Sequence, residues 1–304
     1  MTQSEPGARP GHCPLCGGGG GETHLPLPEY RYRTCRSCRL YYLDPVPAPA
    51  SLVRLYADPR YFCGAGGGYD DYDADAEAAI PEYDRRLAYL ATHVTGRRLL
   101  DVGCAHGQFA LRARQAGWQV DAIETSPSAR RRAERLLASR VSATVRGLPA
   151  KARYDAVTAW EVVEHVTDPI GFVASLATRL RPGGVVAVST PNGGHRDARL
   201  HPDRFPEFQA PLHLFLFTAP SLASLLARAG LLPASVQFTS PEAPMPEALW
   251  HAVQRVRGIP LLGSAVGAVR RAVWLSASAT RSFVQRRESY CLGLEAVARR
   301  TGGA

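Results

Sequence analysis

Four cysteines stand in two pairs, Cys13-Pro14-Leu15-Cys16 and Cys35-Arg36-Ser37-Cys38, with eighteen residues between the pairs. Two C-x-x-C knuckles at this spacing suit a tetrahedral zinc site of the ribbon type. Four thiolates fill the coordination sphere, so the metal would be structural, with no position left for a reacting water. Disulfides are the competing reading, and His12 and His24 are reserve ligands. A second constellation is Asp101-Val102-Gly103-Cys104-Ala105-His106-Gly107, with Glu124 twenty-three positions after Asp101. Gly103 and Gly107 let the backbone turn tightly and approach a ligand. An acid closing the next strand can accept hydrogen bonds from both hydroxyls of a ribose. The spacing Gly103-x-Ala105-x-Gly107 fails the G-x-G-x-x-G dinucleotide template. These residues therefore point to a nucleoside-type ligand that is not a dinucleotide. A glycine turn and an acidic strand end with no ligand is the bland alternative, weakened by the two occurring together.

Regular elements must hold these residues in place. Residues 98–102 read as an apolar strand, 109–116 as a helix stopped by Gly117, and 119–123 as the strand that delivers Glu124. Ser126-Pro127 opens a helix running to about 139, with proline at the first helical position. Strands follow at 141–145, 154–159 and 185–190, and Asp168-Pro169 opens a helix that ends before Pro182-Gly183-Gly184. Thr218 caps a helix ended by Gly230, and 234–238 and 290–298 are the last two strands. This alternation predicts an α/β fold with a largely parallel sheet of seven strands.

At 304 residues, 45% hydrophobic and 21% charged, the chain can bury one large core and carry a small appendage, which excludes wholesale disorder. The net charge of +9 favours acidic partners. Lys151 is the only lysine, however, and such an arginine bias follows from genome composition as readily as from function. No basic flank with an apolar core opens the chain, and no apolar run reaches the ~18–20 residues of a spanning helix. A cytoplasmic protein is expected. Three regions are expected: a zinc ribbon over 1–48, a linker and lid helix over 49–95, and the α/β domain over 96–304 with a helical insert at about 245–288.

The glycine-turn segment resembles motif I of class I S-adenosylmethionine-dependent methyltransferases, D-x-G-x-G-x-G, with Ala105 replacing the middle glycine. Alanine suits that place only if its φ is negative. Three more blocks follow in the family's order. Tyr154-Asp155-Ala156-Val157 resembles the opening of the fourth strand, Glu161-Val162-Val163-Glu164-His165-Val166 the segment after it, and Arg181-Pro182-Gly183-Gly184 the turn before strand five. The blocks span about residues 97–191 and are similar to those of quinone-biosynthesis O-methyltransferases and deoxysugar C-methyltransferases. Cys38-Arg39-Leu40 through Pro45-Val46-Pro47 is similar to the stretch after the second knuckle in zinc-ribbon members. The resemblance implies a Rossmann-like sheet whose last strand is antiparallel, and S-adenosylmethionine as cofactor. It assigns Asp101, the backbone of Gly103, Ala105 and Gly107, Glu124 and Glu161 to that cofactor. Gly147 and Leu148 are assigned to its adenine, in a loop that lacks the usual carboxylate.

The sulfonium carries its own leaving group, so the protein mainly aligns the acceptor and takes its proton. Histidine suits the second task. His213, in Pro211-Leu212-His213-Leu214-Phe215-Leu216-Phe217-Thr218, resembles the histidine of the deoxysugar C-methyltransferase segment "EHvfyFs" and is the preferred base, although Leu212 replaces the glutamate. His165 is the second candidate, with a structural role as its alternative; His195 and His201 lie in the same long connection as His213. Tyr61-Phe62 and Tyr69-Asp70-Asp71-Tyr72 are read as a lid over the acceptor, with an ordinary surface loop as the alternative.

The acceptor is expected to be a small molecule, a sugar or other specialised metabolite. The insert interleaves Trp250, Val266 and Trp274 with Arg255, Arg270, Arg271 and Arg286. Its bland reading is an amphipathic helical pair with a solvated basic face. The sharper one has it recognise a phosphorylated or lipid-linked acceptor, or lie on an anionic membrane. RNA methylation and a non-catalytic binding protein are the rival functions. No aromatic-basic RNA motif accompanies the charge, so no specific nucleic-acid partner is expected.

Overall fold

The computed structural model describes residues 12–19, 21–58, 72–73, 78–241 and 291–300. The lid residues Tyr61, Phe62 and Tyr69 to Asp71 and the insert at 245–288 lie outside the described residues.

A six-stranded sheet forms the centre. It is built from β4 (Arg98–Val102), β5 (Gln119–Ile123), β6 (Tyr154–Trp160), β7 (Leu180–Pro191), β9 (Leu231–Pro241) and β10 (Cys291–Arg300), in the order β5-β4-β6-β7-β10-β9. β5, β4, β6 and β7 pair in parallel. β10 runs antiparallel to both β7 and β9, so β9 points the same way as the parallel set. The expected antiparallel last strand is present, inserted between its neighbours.

Alternation along the strands sorts side chains into two cores. Leu99, Ala156, Val185, Ala187 and Val297 face one cluster, whereas Leu100, Val157, Val186, Val188 and Ala296 face the other. On the first face lie α2 (Ile80–His93), α3 (Gln108–Gln115) and α4 (Pro127–Leu137). α2 is helical because Tyr83, Leu87 and Leu90 recur at helical spacing, and it buries that stripe. On the second face lie α5 (Pro169–Ala177) and α7 (Ala219–Arg228). Asp168 caps α5 by accepting the Gly171 amide, and Thr218 with Ser221 forms a capping box on α7.

The seventh strand, expected over 141–145, is reduced to a single parallel bridge between Ile123 and Ser142. Ser142 exchanges backbone bonds with Ala122 and Glu124, and then the chain turns. Residues Val145–Gly147 close a 3-10 turn, and Arg179 holds the Val145 carbonyl at 2.8 Å. Within this edge segment only Val141 is a fully buried apolar side chain, Val145 being partly buried against the core, so little there favours extending the ladder.

A second sheet contains β1 (Glu22–Pro26), β2 (Arg31–Thr34) and β3 (Tyr41–Asp44), followed by α1 (Pro49–Ala57). Its fourth strand, β8 (Phe215–Leu216), comes from the connection that carries His213. A short helix, α6 (Arg196–Leu200), opens the same connection.

Candidate active site

β4 delivers Asp101 to the centre of the sheet and ends at Val102. Asp101 is buried, Thr158 Oγ1 donates to its Oδ1 at 2.9 Å, and burial raises its carboxyl to about 7. The chain then turns through Gly103 (φ +74) and Gly107 (φ +93) into α3. A Cβ at Gly103 would sit 2.6 Å from Val162, so this loop packs directly on the segment after β6. Glu124, just past β5, closes the loop from below. Its Oε2 accepts the Ala105 amide at 2.8 Å and its Oε1 the Ser126 amide at 2.7 Å.

Ala105 contradicts the expected negative φ: it lies at +47, in the left-handed region. That conformation costs an alanine roughly 1–2 kcal/mol. In this turn the Ala105 amide is aimed at the buried carboxyl of Glu124, a contact that offsets part of the cost. Thr125 Oγ1 also donates weakly to Oε1 at 3.5 Å, whereas Oε2 keeps lone-pair capacity for a further donor.

Gly147 and Leu148 lie beside Ser142 at the edge of β5, where adenine was expected. Their amides bond the carbonyls of Thr144 and Val145 at 3.0 and 3.4 Å, closing the turn. Glu161 follows β6 with φ +54, and its amide bonds Ser189 Oγ at 3.0 Å. Burial holds its carboxyl above the usual range.

The site also contains residues that carried no signal in the sequence. Arg86 of α2 reaches over Trp160 at 4.5 Å and donates to Glu295 Oε1 at 2.7 Å and, more weakly, to Ser189. Arg85 binds the other oxygen of Glu295, which is fully buried on β10. Asp73 clasps the glycine loop from outside through His106 Nδ1 at 2.9 Å, Gln108 at 2.8 Å and Arg132.

The two preferred histidines meet, with ring centroids 4.9 Å apart. His165 Nδ1 lies 2.9 Å from the Leu212 carbonyl and 2.9 Å from Tyr56 Oη. His213 Nδ1 lies 2.7 Å from the Glu207 carbonyl. A carbonyl only accepts, so each Nδ1 carries the hydrogen and each Nε2 keeps its lone pair. Burial pushes His165 down to about 3 and His213 to about 4, so both rings are neutral near pH 7.

Acids surround the pair. Glu164 is fully buried with no hydrogen-bond partner for either oxygen among the described residues, and burial beside Glu161 raises its carboxyl well above the usual range. Glu164, His165 and His213 bring one ligand atom each within 4.8 Å of one another. Glu207 Oε2 approaches His213 Nδ1 to 3.8 Å, and burial raises that carboxyl to about 7. The carboxylate missing at Leu212 is thus supplied in space from six residues before His213. His195 is not part of this group: its Nδ1 accepts the Asp197 amide to cap α6, and its ring stacks on Phe205.

The four paired cysteines converge as well. Sγ atoms of Cys13 and Cys38 lie 3.6 Å apart and those of Cys16 and Cys35 3.5 Å apart, with all four within 4.8 Å of one another. A zinc–sulfur distance of about 2.3 Å gives a tetrahedron with edges of about 3.8 Å, so the cluster fits that ion. The Gly18 and Cys38 amides point at Cys16 and Cys35 sulfur at 3.4 and 3.5 Å, as thiolates favour.

A doubly wound sheet, a glycine turn after its first strand and an acid after its second define a nucleoside-binding α/β protein of the class I methyltransferase type. The chain belongs to the family described as a methyltransferase domain, whose model matches residues 72–235. A ubiquinone biosynthesis O-methyltransferase of Xanthomonas campestris pv. campestris (strain B100) is 38% identical over 117 residues, covering 35% of this chain and 49% of its own length. That of Bradyrhizobium sp. (strain ORS 278) is 34% identical over 122 residues, covering 38% and 48%. The chain thus spans about half the length of the curated relatives it matches.

Among solved structures, a Burkholderia thailandensis 1,6-didemethyltoxoflavin-N1-methyltransferase with bound S-adenosylhomocysteine superposes at TM-score 0.51 and 19% identity, covering 92% of this chain and 100% of that one. A Haemonchus contortus phosphoethanolamine N-methyltransferase superposes at 0.55 and 16%, covering 86% and 63%. Both share the fold. The family's cofactor is S-adenosylmethionine, and the acidic set Asp101, Glu124 and Glu161 suits its ribose diol and its cationic amino and sulfonium groups. Among the described residues no helix is long and apolar enough to cross a membrane.

Proposed function

We propose that the protein transfers the methyl group of S-adenosylmethionine to an oxygen of a small-molecule acceptor, a sugar or other specialised metabolite, with His213 as the base. The observation that carries this reading is the neutral, buried His213, whose Nδ1 is fixed on the Glu207 carbonyl, which leaves the Nε2 lone pair to accept a proton. The cofactor, when bound, supplies an activated methyl and its own leaving group. Glu124 holds the ribose, Asp101 and the backbone of Gly103, Ala105 and Gly107 hold the amino-acid end, and Gly147 and Leu148 flank the adenine. Arg86, pinned by Glu295 and Trp160, fixes the wall between Glu161 and α2. His213 Nε2 accepts the acceptor's proton, while His165, held by Tyr56, fixes the segment around it. Oxygen is preferred as the acceptor atom because the matched curated relatives are named O-methyltransferases.

The same proposal places a structural zinc on Cys13, Cys16, Cys35 and Cys38, supported by the sulfur spacing. Reduced thiolates suit a cytoplasmic setting. The arginines of 245–288 are proposed to meet a phosphorylated or lipid-linked acceptor or an anionic membrane, which liposome flotation of Arg270→Glu with Arg271→Glu would test.

Calorimetry with S-adenosylmethionine and S-adenosylhomocysteine, on wild type and Glu124→Ala, tests the cofactor reading; a wild type that binds neither sinks it. A panel of phenolic and sugar hydroxyl acceptors then tests the chemistry. Full activity in His213→Gln would remove the base.

A further inference from the structure

The ribbon and the proposed base are one mechanical unit. Thr34 pairs with Tyr41 in register, so the stretch bearing Cys35 and Cys38 is the loop of the β2–β3 hairpin. Closing a metal on that knuckle therefore sets the end of the hairpin. Three contacts carry the hairpin's position onward. β3 pairs antiparallel with β8, Tyr41 opposite Leu216 and Tyr42 opposite Phe215. The Leu43 amide donates to the Leu214 carbonyl at 2.8 Å. The Tyr32 hydroxyl, fully buried, donates to the carbonyl of His213 itself at 2.6 Å. From the other side, the Glu164 carbonyl accepts the amides of Leu214 and Phe215 at 2.8 and 3.2 Å. Residues 212–216 are thus gripped between the hairpin and the Glu164-His165 segment. The contacts around Glu124 involve none of these residues.

We infer that the four-cysteine centre acts at a distance on the acceptor side of the site: through the β2–β3 hairpin it fixes the backbone of His213, with Tyr32 as the positioning residue. The cysteines touch no reacting atom; they determine where the histidine stands. The catalytic meaning of this link rests on the reading of His213 as base, whereas the link itself is measurable without any acceptor.

The test uses the full chain loaded with zinc. Metal is withdrawn with a chelator, and amide hydrogen exchange is followed together with S-adenosylmethionine affinity. Residues 41–43 and 212–216 should exchange about tenfold faster or more, while 99–124 stay protected and cofactor affinity stays within about twofold. Unchanged exchange at 212–216 overturns the inference. So does loss of cofactor affinity in step with the metal, which would make the centre a support of the whole fold. Tyr32→Phe in the zinc-loaded protein is the second arm. It should lower kcat about tenfold with KM within about twofold, and displace the acid limb of the pH profile. A lower melting temperature with kcat and pH profile unchanged makes Tyr32 merely structural and overturns its role. If instead His213→Gln is fully active while 212–216 still loosens on zinc loss, the base reading falls and the mechanical link stands.

Discussion

The Ala105 amide reaches Glu124 Oε2 at 2.8 Å from a backbone with φ +47. A loop whose motif resembles one with glycine at this place is here held in a left-handed turn by an alanine and a buried carboxylate. Ala105→Gly should therefore raise stability by up to about 1 kcal/mol, the relief of the left-handed turn being partly cancelled by glycine's greater freedom in the unfolded chain. Urea unfolding of the two proteins checks this, and a loss of stability would show that the turn carries no strain.

Glu124 binds two amides before any ligand arrives, so its replacement acts twice. Glu124→Ala should weaken S-adenosylmethionine at least tenfold and also loosen the Gly103–Gly107 loop. Glu124→Gln, which retains one carbonyl oxygen, should recover part of the loop's protection but little of the affinity. Calorimetry paired with hydrogen exchange separates the two effects.

Asp101 gives stability of the cofactor-free protein a pH slope. Burial raises its carboxyl to about 7, so between the usual carboxylate pKa of about 4 and that value the folded chain holds a proton the unfolded chain has released. Stability from this group is present at low pH and is lost as pH rises through that window. Asp101→Asn should flatten this part of the profile and raise the melting temperature at pH 8 relative to wild type. A wild-type profile that rises steadily over the same range, with no change in the variant, would contradict it.

His213 titrates the other way. Its ring is lowered to about 4 by burial, so the neutral form persists far below the usual histidine range. The acid limb of kcat/KM should fall only as pH drops toward about 4, well below the value of about 6.5 for an unburied histidine. His213→Gln should lower kcat by roughly 10²–10⁴-fold with S-adenosylmethionine affinity retained. A pH profile followed in both proteins distinguishes this limb from the titration of Glu207.

Much of the cofactor side was legible in the sequence because it is local. One strand, one turn, one helix and a second strand place Asp101 and Glu124 within twenty-three positions, and each element announces itself by periodicity or a cap. The acceptor side was legible only in part. His165 and His213 stood out as residues, but their meeting depends on a connection folding back across the ends of β6 and β7. Glu207 could not be read as the carboxylate beside His213, since nothing in the spacing brings its side chain back to a ring six residues later. Arg86 and Glu295 stand 209 residues apart, and no local pattern joins them. The seventh strand failed for the opposite reason: β-branched residues over 141–145 suggest extension, but that propensity yields where the edge offers little to bury.

β8 has a consequence for how the chain is made. The tyrosine that holds His213 precedes it by 181 residues. During synthesis the three ribbon strands emerge first and can close on metal early, yet the partner that covers β3 is translated only after most of the central sheet. Until then β3 presents an unpaired edge, the feature most apt to recruit a strand from another chain. Early metal loading and late edge closure are therefore separate steps, and a chain interrupted between them is the form most exposed to aggregation.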